Sequence, residues 1–345
     1  MNIAILLYDM YNIRKETFMG KVDIATKQYM SHRDIIADAF NFYIYDGRQV
    51  IKPERLQKID TAEIALPYGN DADTAVQKLR DNLMLWTMAM DDKAMYVVLG
   101  IENQDKVHYA MAVKNMLYDA LQYAKQVEES KRSYRDKSKE RTVKLNSEEF
   151  LSGLKRDDKL MPVITLVIYF GDKDWDGAKS IHEMLSVDDD EILSYIPDYK
   201  INLIEPAKIS DDEFDKFQTD LGTIIQFIKH QSDEDGSWIK GKKRFEHVER
   251  EAVELINLIT GSKFAGNHKE EVVDMCRAWE NSINNAKNEG IREGMREGIR
   301  EGELKGKIET LYEECDMSIP DIAKKVSKPE EYVKEVIERM SAAYL

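Results

Sequence analysis

Apolar and polar positions alternate most clearly in the middle of the chain. Residues 83–88 alternate as in a strand whose two faces are both covered, and a second apolar run, residues 94–101, follows the polar break at 91–93. Two β-rich runs around a short polar turn predict a hairpin. Residues 161–171 (MPVITLVIYFG) are apolar on both faces, which predicts a central strand of a covered sheet.

Apolar residues at helical spacing surround these strands. Residues 31–45 carry this spacing before the hairpin and residues 111–127 carry it after the hairpin, and residues 180–285 are mainly helical in pattern. Residues 130–145 are charged and lack apolar periodicity, which predicts a mobile loop.

Together these patterns predict an α/β fold, with a small mixed sheet flanked by helices. The sheet is built around the hairpin of residues 81–104 and the strand of residues 162–170. We divide the chain into a core, residues 1–180, a helical region that completes or flanks it, residues 181–285, and a tail, residues 286–345.

The tail contains a glycine repeat. Glycine recurs every four residues in a Gly-apolar-Arg-Glu unit, at Gly290, Gly294, Gly298, Gly302 and Gly306. A spacing of four keeps one residue type on a slowly rotating helical stripe, but each Gly costs a helix ~1 kcal/mol relative to Ala. Two interpretations stay open: a flexible polar tether, or a helix that self-associates through close backbone approach. Residues 318–340 have the outline of a helix-turn-helix.

Composition and charge narrow the class of protein. The chain has 345 residues, a formal net charge of −15 and two Cys that lie far apart. We expect reduced thiols, a cytoplasmic location, no signal peptide and no membrane span. Negative charge opposes duplex binding, which depends on phosphate neutralisation, but residues 128–144 hold seven Lys and Arg against four acids. No phosphate-binding glycine loop, nucleophile elbow or zinc pattern occurs, so no nucleotide cofactor is expected.

Acidic side chains lie at the open end of the predicted hairpin. A turn centred between Asp91 and Asp92 places Asp81 directly opposite Glu102, and Gln104 shares their face. Two such carboxylates repel each other unless a divalent cation lies between them, and Mg²⁺ suits oxygen ligands. A three-residue turn would instead put Asp81 on the opposite face. Both acids can also be ordinary solvated charges at strand ends.

The order of these motifs resembles the PD-(D/E)XK nuclease family transposases, which are relatives of the bacterial recombination-promoting nucleases. The similar features are Arg80-Asp81, Glu102-Asn103-Gln104, a following helix with Tyr118 and Tyr123, the segment from Pro162 to Trp175, and the glycine-repeat tail. The resemblance covers roughly residues 20–180 and the tail.

This resemblance implies a restriction-endonuclease-like core and a Mg²⁺-dependent (or Mn²⁺-dependent) DNA endonuclease linked to recombination or mobile elements. Asp81 and Glu102 would bind the metal. Gln104 stands where many of these enzymes have Lys, and it can neither supply charge nor act as a base. A further acid is expected on the first helix, with Asp38 as the candidate and Asp34 and Asp23 as rivals.

The alternative function is that of a catalytically silent DNA-binding or assembly protein. Such a protein would keep the nuclease fold and form homo-oligomers through its C-terminal tail. In both cases the expected partners are DNA and further copies of the chain.

Overall fold

The computed structural model describes residues 20–59, 83–90, 95–104, 106–140, 143–233, 236–264 and 270–343. The chain divides into two compact units, Met1–Cys276 and Arg277–Leu345. Over the described ranges, no helix combines the length and the apolar character that crossing a membrane requires.

The first unit mixes helices and strands, which confirms the predicted α/β class. Helical residues 20–29 come first, and the elements that follow are α1 (Arg33–Tyr45), β1 (Leu56–Ile59), β2 (Leu83–Met90), β3 (Met95–Gln104), α2 (Met111–Lys139), α3 (Ser147–Ser152), β4 (Val163–Tyr169), α4 (Asp190–Leu193), β5 (Asn202–Ile204), α5 (Leu221–Lys229), β6 (Val248–Glu249), α6 (Arg250–Thr260) and β7 (Val272–Val273). Short 3-10 turns lie at Pro53–Arg55, His182–Met184, Pro206–Lys208, Glu213–Lys216 and Lys243–Phe245.

The main sheet has five strands in the order β1-β2-β3-β4-β5. The first three strands form an antiparallel meander, whereas β4 is parallel to β3 and β5 is parallel to β4. The predicted hairpin and central strand are therefore confirmed, and β4 is buried along almost all its length. The fifth strand comes from the region that was predicted to be helical. A second sheet pairs β6 with β7.

Helix α2 corrects residues 130–139 of the loop that was predicted over residues 130–145. It continues to Lys139 without interruption. Lys, Arg and Glu are good helix formers, and the pairs Lys125–Glu129 and Arg132–Glu128 have the i, i+4 spacing that supports a helix. The apolar period disappears because the side chains of this half face solvent, not because the helix ends.

The second unit is helical. Helix α7 (Met275–Glu313) enters it, and α8 (Ile319–Val326) and α9 (Glu330–Ala343) follow. All five glycines of the repeat lie within α7, so the segment is a helix and not a tether. The end of α7 packs with α8 and α9 around Ile308, Ile322 and Val333. Ser327, with φ 55°, ends α8 and gives the predicted turn between the last two helices.

Candidate functional site

Two of the predicted site residues come together at the end of the central strand β3. Positions Glu102 and Gln104 are two residues apart, so they fall on the same face of the strand. On the parallel strand β4, Val167 is the partner of Glu102 and Tyr169 is the partner of Gln104. One edge of the sheet therefore carries a carboxylate residue, Glu102, and a carboxamide residue, Gln104, on the same face.

The antiparallel neighbour of Glu102 differs from the predicted one. Leu83 of β2 pairs with Glu102, so the register that placed Asp81 opposite Glu102 is wrong by two residues. The cause is the turn, because Met90 pairs with Met95 and the connection consists of the four residues between them. An even shift leaves the assignment of positions to faces unchanged. Asp81 itself lies outside the described residues.

The carboxamide of Gln104 is held close to its own strand. Its Nε2 donates to the backbone carbonyl of Asn103 at 2.9 Å, and the residue is half-buried. Its backbone carbonyl accepts a hydrogen bond from the Phe170 nitrogen at 2.7 Å, which ties the end of β3 to the end of β4. The amide nitrogen is thus engaged, and a carboxamide oxygen is of the atom type that cations and waters accept as a ligand.

Asp38, the predicted acid of the first helix, lies in the packing between α1 and α5 and is 2% exposed. Its Oδ1 accepts from the Gln218 backbone nitrogen at 2.9 Å, and its Oδ2 accepts from the Thr219 nitrogen at 2.9 Å and hydroxyl at 2.6 Å. Burial raises the pKa of Asp38, against the effect of these hydrogen bonds and of Arg244. These contacts make Asp38 an anchor between helices, and its role as a site acid stays a prediction.

The two rival acids lie at the surface. Asp34 is exposed in the first turn of α1. Asp23 is also exposed, and it pairs with Lys27 at 2.8 Å. Exposed carboxylates of this kind are typical of the polar face of a surface helix.

Helix α2 covers the sheet face to which Glu102 and Gln104 belong. Near its start, Met111 and Ala112 share a buried cluster with Val167 and Tyr169, the β4 partners of these two positions. The start of α2 therefore forms one wall beside the end of β3.

Asp119 joins the middle of α2 to β4. Its Oδ1 accepts a hydrogen bond from the Thr165 hydroxyl at 2.6 Å, and its Oδ2 accepts one from the Tyr199 hydroxyl at 2.7 Å. Burial raises the pKa of Asp119, whereas the two hydrogen bonds act to lower it. The pKa of Tyr199 is raised by burial and by the Asp119 carboxylate. No local sequence pattern predicts this network.

Two buried amides on α2 were also missed. Asn115 is 0% exposed and Gln122 is 4% exposed. Among the described residues, neither side-chain polar atom of Asn115 has a hydrogen-bond partner, nor does Nε2 of Gln122. With Asp119 and Gln126 they form a polar stripe at spacings of four, three and four residues, along one helix face. That stripe was a readable signal, since an inner helix face is normally apolar.

The donor atoms at the end of β3 suit a hard divalent cation. Carboxylate and carboxamide oxygens are the ligand types that Mg²⁺ and Ca²⁺ accept, and Mg²⁺ also keeps several waters. In the part of the chain that the structure describes, no group of three or more His, Cys, Asp and Glu side chains is arranged to hold a metal. A metal site at Glu102 and Gln104 therefore requires a further ligand, for which Asp81 is the predicted residue.

The fold and this edge define an α/β protein whose candidate site lies at the end of its central strand. The family model described as "Putative transposase, YhgA-like" matches residues 52–252, and the chain belongs to this family. The matched segment contains all five strands of the main sheet and helix α2. No curated protein and no solved structure matches the chain. The description of the family points to a function connected with mobile elements.

Proposed function

We propose that this protein is a Mg²⁺-dependent DNA endonuclease, able to use Mn²⁺ as well, that acts in recombination or in the movement of mobile elements. The observation that carries the proposal is the shared face of Glu102 and Gln104 at the end of β3. The element order α1-β1-β2-β3-α2-β4, with β4 parallel to β3, supports a restriction-endonuclease-like core. Membership of a transposase family supports DNA as the substrate.

In the proposed site, the carboxylates of Glu102 and Asp81 hold the cation. Pairing of Leu83 with Glu102 assigns odd-numbered positions of β2 to the face of Glu102, and Asp81 belongs to that set if the strand continues. When bound, the ion would polarise a phosphate and lower the pKa of a bound water. The carboxamide of Gln104, on the same face, could form a hydrogen bond with such a water.

The reaction is hydrolysis of a phosphodiester. The water oxygen forms a bond to phosphorus while the bond from phosphorus to the 3′ oxygen breaks, and the proton passes to that oxygen directly or through solvent. The products are a 5′-phosphate and a 3′-hydroxyl. Gln104 cannot take the proton, so the rate should rise with pH as the water ionises.

The exposed half of α2 is the proposed surface for the DNA backbone. Residues 128–144 hold seven Lys and Arg against four acids, and Arg132, Arg135 and Lys137 are exposed. A local excess of positive charge permits phosphate neutralisation even in a chain with a net charge of −15.

The tail supports a second proposal, that copies of the chain self-associate. Helix α7 exposes Ile291, Met295 and Ile299, which are 53%, 66% and 62% accessible and four residues apart. An apolar stripe of this kind on an otherwise polar helix favours a partner helix, and the adjacent glycines allow its backbone to approach closely. The same feature favours the alternative function, a catalytically silent DNA-binding assembly protein.

Nicking of supercoiled plasmid tests the proposed function. The wild-type protein should relax the plasmid in Mg²⁺, and EDTA, Asp81→Ala or Glu102→Ala should abolish this. Glu148→Ala, purified in the same way, should keep the activity because Glu148 is an exposed surface charge. Plasmid binding without any cleavage in Mg²⁺ or Mn²⁺ would contradict the proposal and favour the alternative.

A further inference from the structure

The side chain of Asn115 is a buried amide without a protein partner. It is 0% exposed, and within the described ranges neither its Oδ1 nor its Nδ2 is hydrogen-bonded. Buried polar groups in native proteins are almost always paired, and one that is not lowers the stability of the fold. On the same helix face, Asp119 and Gln126 are fully engaged with Thr165 and with the backbone of Met161. Asn115 therefore calls for an explanation that Asp119 and Gln126 do not need, because both of its polar side-chain atoms are unpaired.

The position of Asn115 follows from the way α2 crosses the sheet. Ala112 lies in the cluster of Val167 and Tyr169, Asp119 bonds Thr165 further back along β4, and α2 is therefore antiparallel to β4. Asn115 lies between Ala112 and Asp119, at the level of Val167. The β3 partner of Val167 is Glu102. The unpaired amide thus faces the sheet at the level of the candidate metal ligand.

The face of β3 that α2 covers carries a glycine next to Glu102. Gly100, two residues before Glu102 on the same face, is paired with Thr165 and has no side chain. An unpaired carboxamide near a carboxylate-bearing position suits a bound water better than an apolar group, because a carboxamide can both donate and accept.

We propose that Asn115 is a positioning residue of the candidate site, whose carboxamide binds a water in the hydration shell of a divalent cation held at Glu102. The inference deepens the proposed function and rests on it for the location of the ion. Mg²⁺ and Mn²⁺ bound by few protein ligands keep several waters, and groups that hold such outer ligands commonly tune metal affinity 10-fold or more. An apolar side chain at position 115 would make the fold more stable, and in this proposal the asparagine is kept because it contributes to ion binding.

Two matched leucine substitutions in the full-length protein separate this role from a merely structural one. Asn115→Leu removes the buried amide above Glu102. Gln226→Leu is the control, because Gln226 on α5 is also 0% exposed and has no partner for either amide atom among the described residues. In EDTA, both variants should melt about 2–4 °C above the wild type, since each removes an unpaired buried polar group.

Binding of Mn²⁺ alone, measured by calorimetry without DNA, then tests whether Asn115 contributes to cation binding. Asn115→Leu should weaken Mn²⁺ binding by about 10-fold or more, whereas Gln226→Leu should bind as the wild type does. Asn115→Asp, which keeps an oxygen and adds charge, should restore tight binding. Equal Mn²⁺ affinity for Asn115→Leu and the wild type, or no Mn²⁺ binding by the wild type, would overturn the inference. Wild-type protein that binds Mn²⁺ through Asn115 but never cuts plasmid would instead overturn only the proposed nuclease function.

If Asn115→Leu does not fold, Asn115→Ser replaces it in the same assay. Serine keeps one hydroxyl but cannot span the distance of the carboxamide, so it should also lose Mn²⁺ affinity. Unchanged affinity in a folded Asn115→Ser protein would again contradict the assignment.

Discussion

Asp38 on α1 and Thr219 before α5 are joined by two hydrogen bonds, one from the Thr219 backbone nitrogen at 2.9 Å and one from its hydroxyl at 2.6 Å. The Gln218 nitrogen donates a third to the same carboxylate. One buried acid thereby satisfies the donors of the segment that leads into α5 and fixes it against an N-terminal helix.

Removing this carboxylate should destabilise the fold. Asp38→Ala removes the acceptor of two backbone N–H groups and a hydroxyl in a partly buried contact, which we expect to cost roughly 2–4 kcal/mol in urea unfolding. Asp34→Ala, one turn earlier on the exposed face of α1, should change stability by less than about 0.5 kcal/mol. Loss of plasmid cleavage by Asp38→Ala with unchanged stability would contradict the anchoring role and place Asp38 in the site.

The strands and helices that bury a regular face could be predicted from the sequence. The runs at β2, β3 and β4 have the alternating or fully apolar pattern that sheet packing requires, and α1 has the helical one. The register of the hairpin was missed by two residues because the turn after Met90 contains no Gly, Pro or Asn to fix its length. Strand β5, with three residues, is too short to show a period.

The surroundings of the candidate site could be predicted only in part. Glu102 and Gln104 share a face because of local strand geometry alone. The partners of Asp119, which are Thr165 and Tyr199, depend on how α2 docks on the sheet, and no local pattern encodes that contact. The polar stripe on α2 was visible in the sequence but was read as part of an ordinary amphipathic helix.

The hydroxyl of Tyr199 should stabilise the buried Asp119 carboxylate. Tyr199→Phe removes a 2.7 Å hydrogen bond to a charged group, which we expect to cost about 1.5–3 kcal/mol at pH 7. Because burial raises the pKa of Asp119 in the folded protein, the ionised form is the costly one, and the deficit should shrink as pH falls and the group takes up a proton. Denaturant melts at pH 7 and pH 5 measure this. Tyr195→Phe, at a tyrosine that is 83% exposed, should have no effect at either pH.

Asp211 should contribute to the acid sensitivity of the first unit. Burial alone would raise the pKa of Asp211, but hydrogen bonds from Lys229 and His230 outweigh it and hold the pKa below its usual range. The His230 ring also contacts Asp233 at 2.5 Å, so it lies between two carboxylates. The carboxyl pKa of an unfolded chain is about 4, and a lower pKa in the folded state stabilises the fold at any pH above that value. This stabilisation is lost as the pH falls from about 4 towards the pKa of the folded state.

Substitution of Asp211 tests this sign. Asp211→Asn should melt lower than the wild type at pH 7 and should lose part of the decline in stability between about pH 5 and pH 3. Asp212→Asn, at the exposed neighbouring position, should retain the wild-type profile. Parallel melting curves for Asp211→Asn and the wild type across this range would show that Asp211 plays no such part.

The exposed stripe of α7 should determine the number of protomers. Replacing Ile291, Met295 and Ile299 together with Lys puts like charges where two copies would meet, so the molar mass from light scattering should fall to that of one chain. Ile192→Lys with Tyr195→Lys, at exposed apolar residues of the first unit, should leave the mass unchanged. If the wild type is already a single protomer, self-association through the tail is wrong.

The central claim is that the Glu102 carboxylate takes part in phosphodiester cleavage. Single-turnover rates on supercoiled plasmid in Mg²⁺, for the wild type, Glu102→Gln and the exposed control Glu148→Gln, test it most directly. We expect Glu102→Gln to be slower by roughly 100-fold or more at an unchanged melting temperature, because the amide keeps the shape but loses the charge that holds the ion. The control should cut at the wild-type rate. Cleavage by Glu102→Gln as fast as by the wild type would contradict the claim.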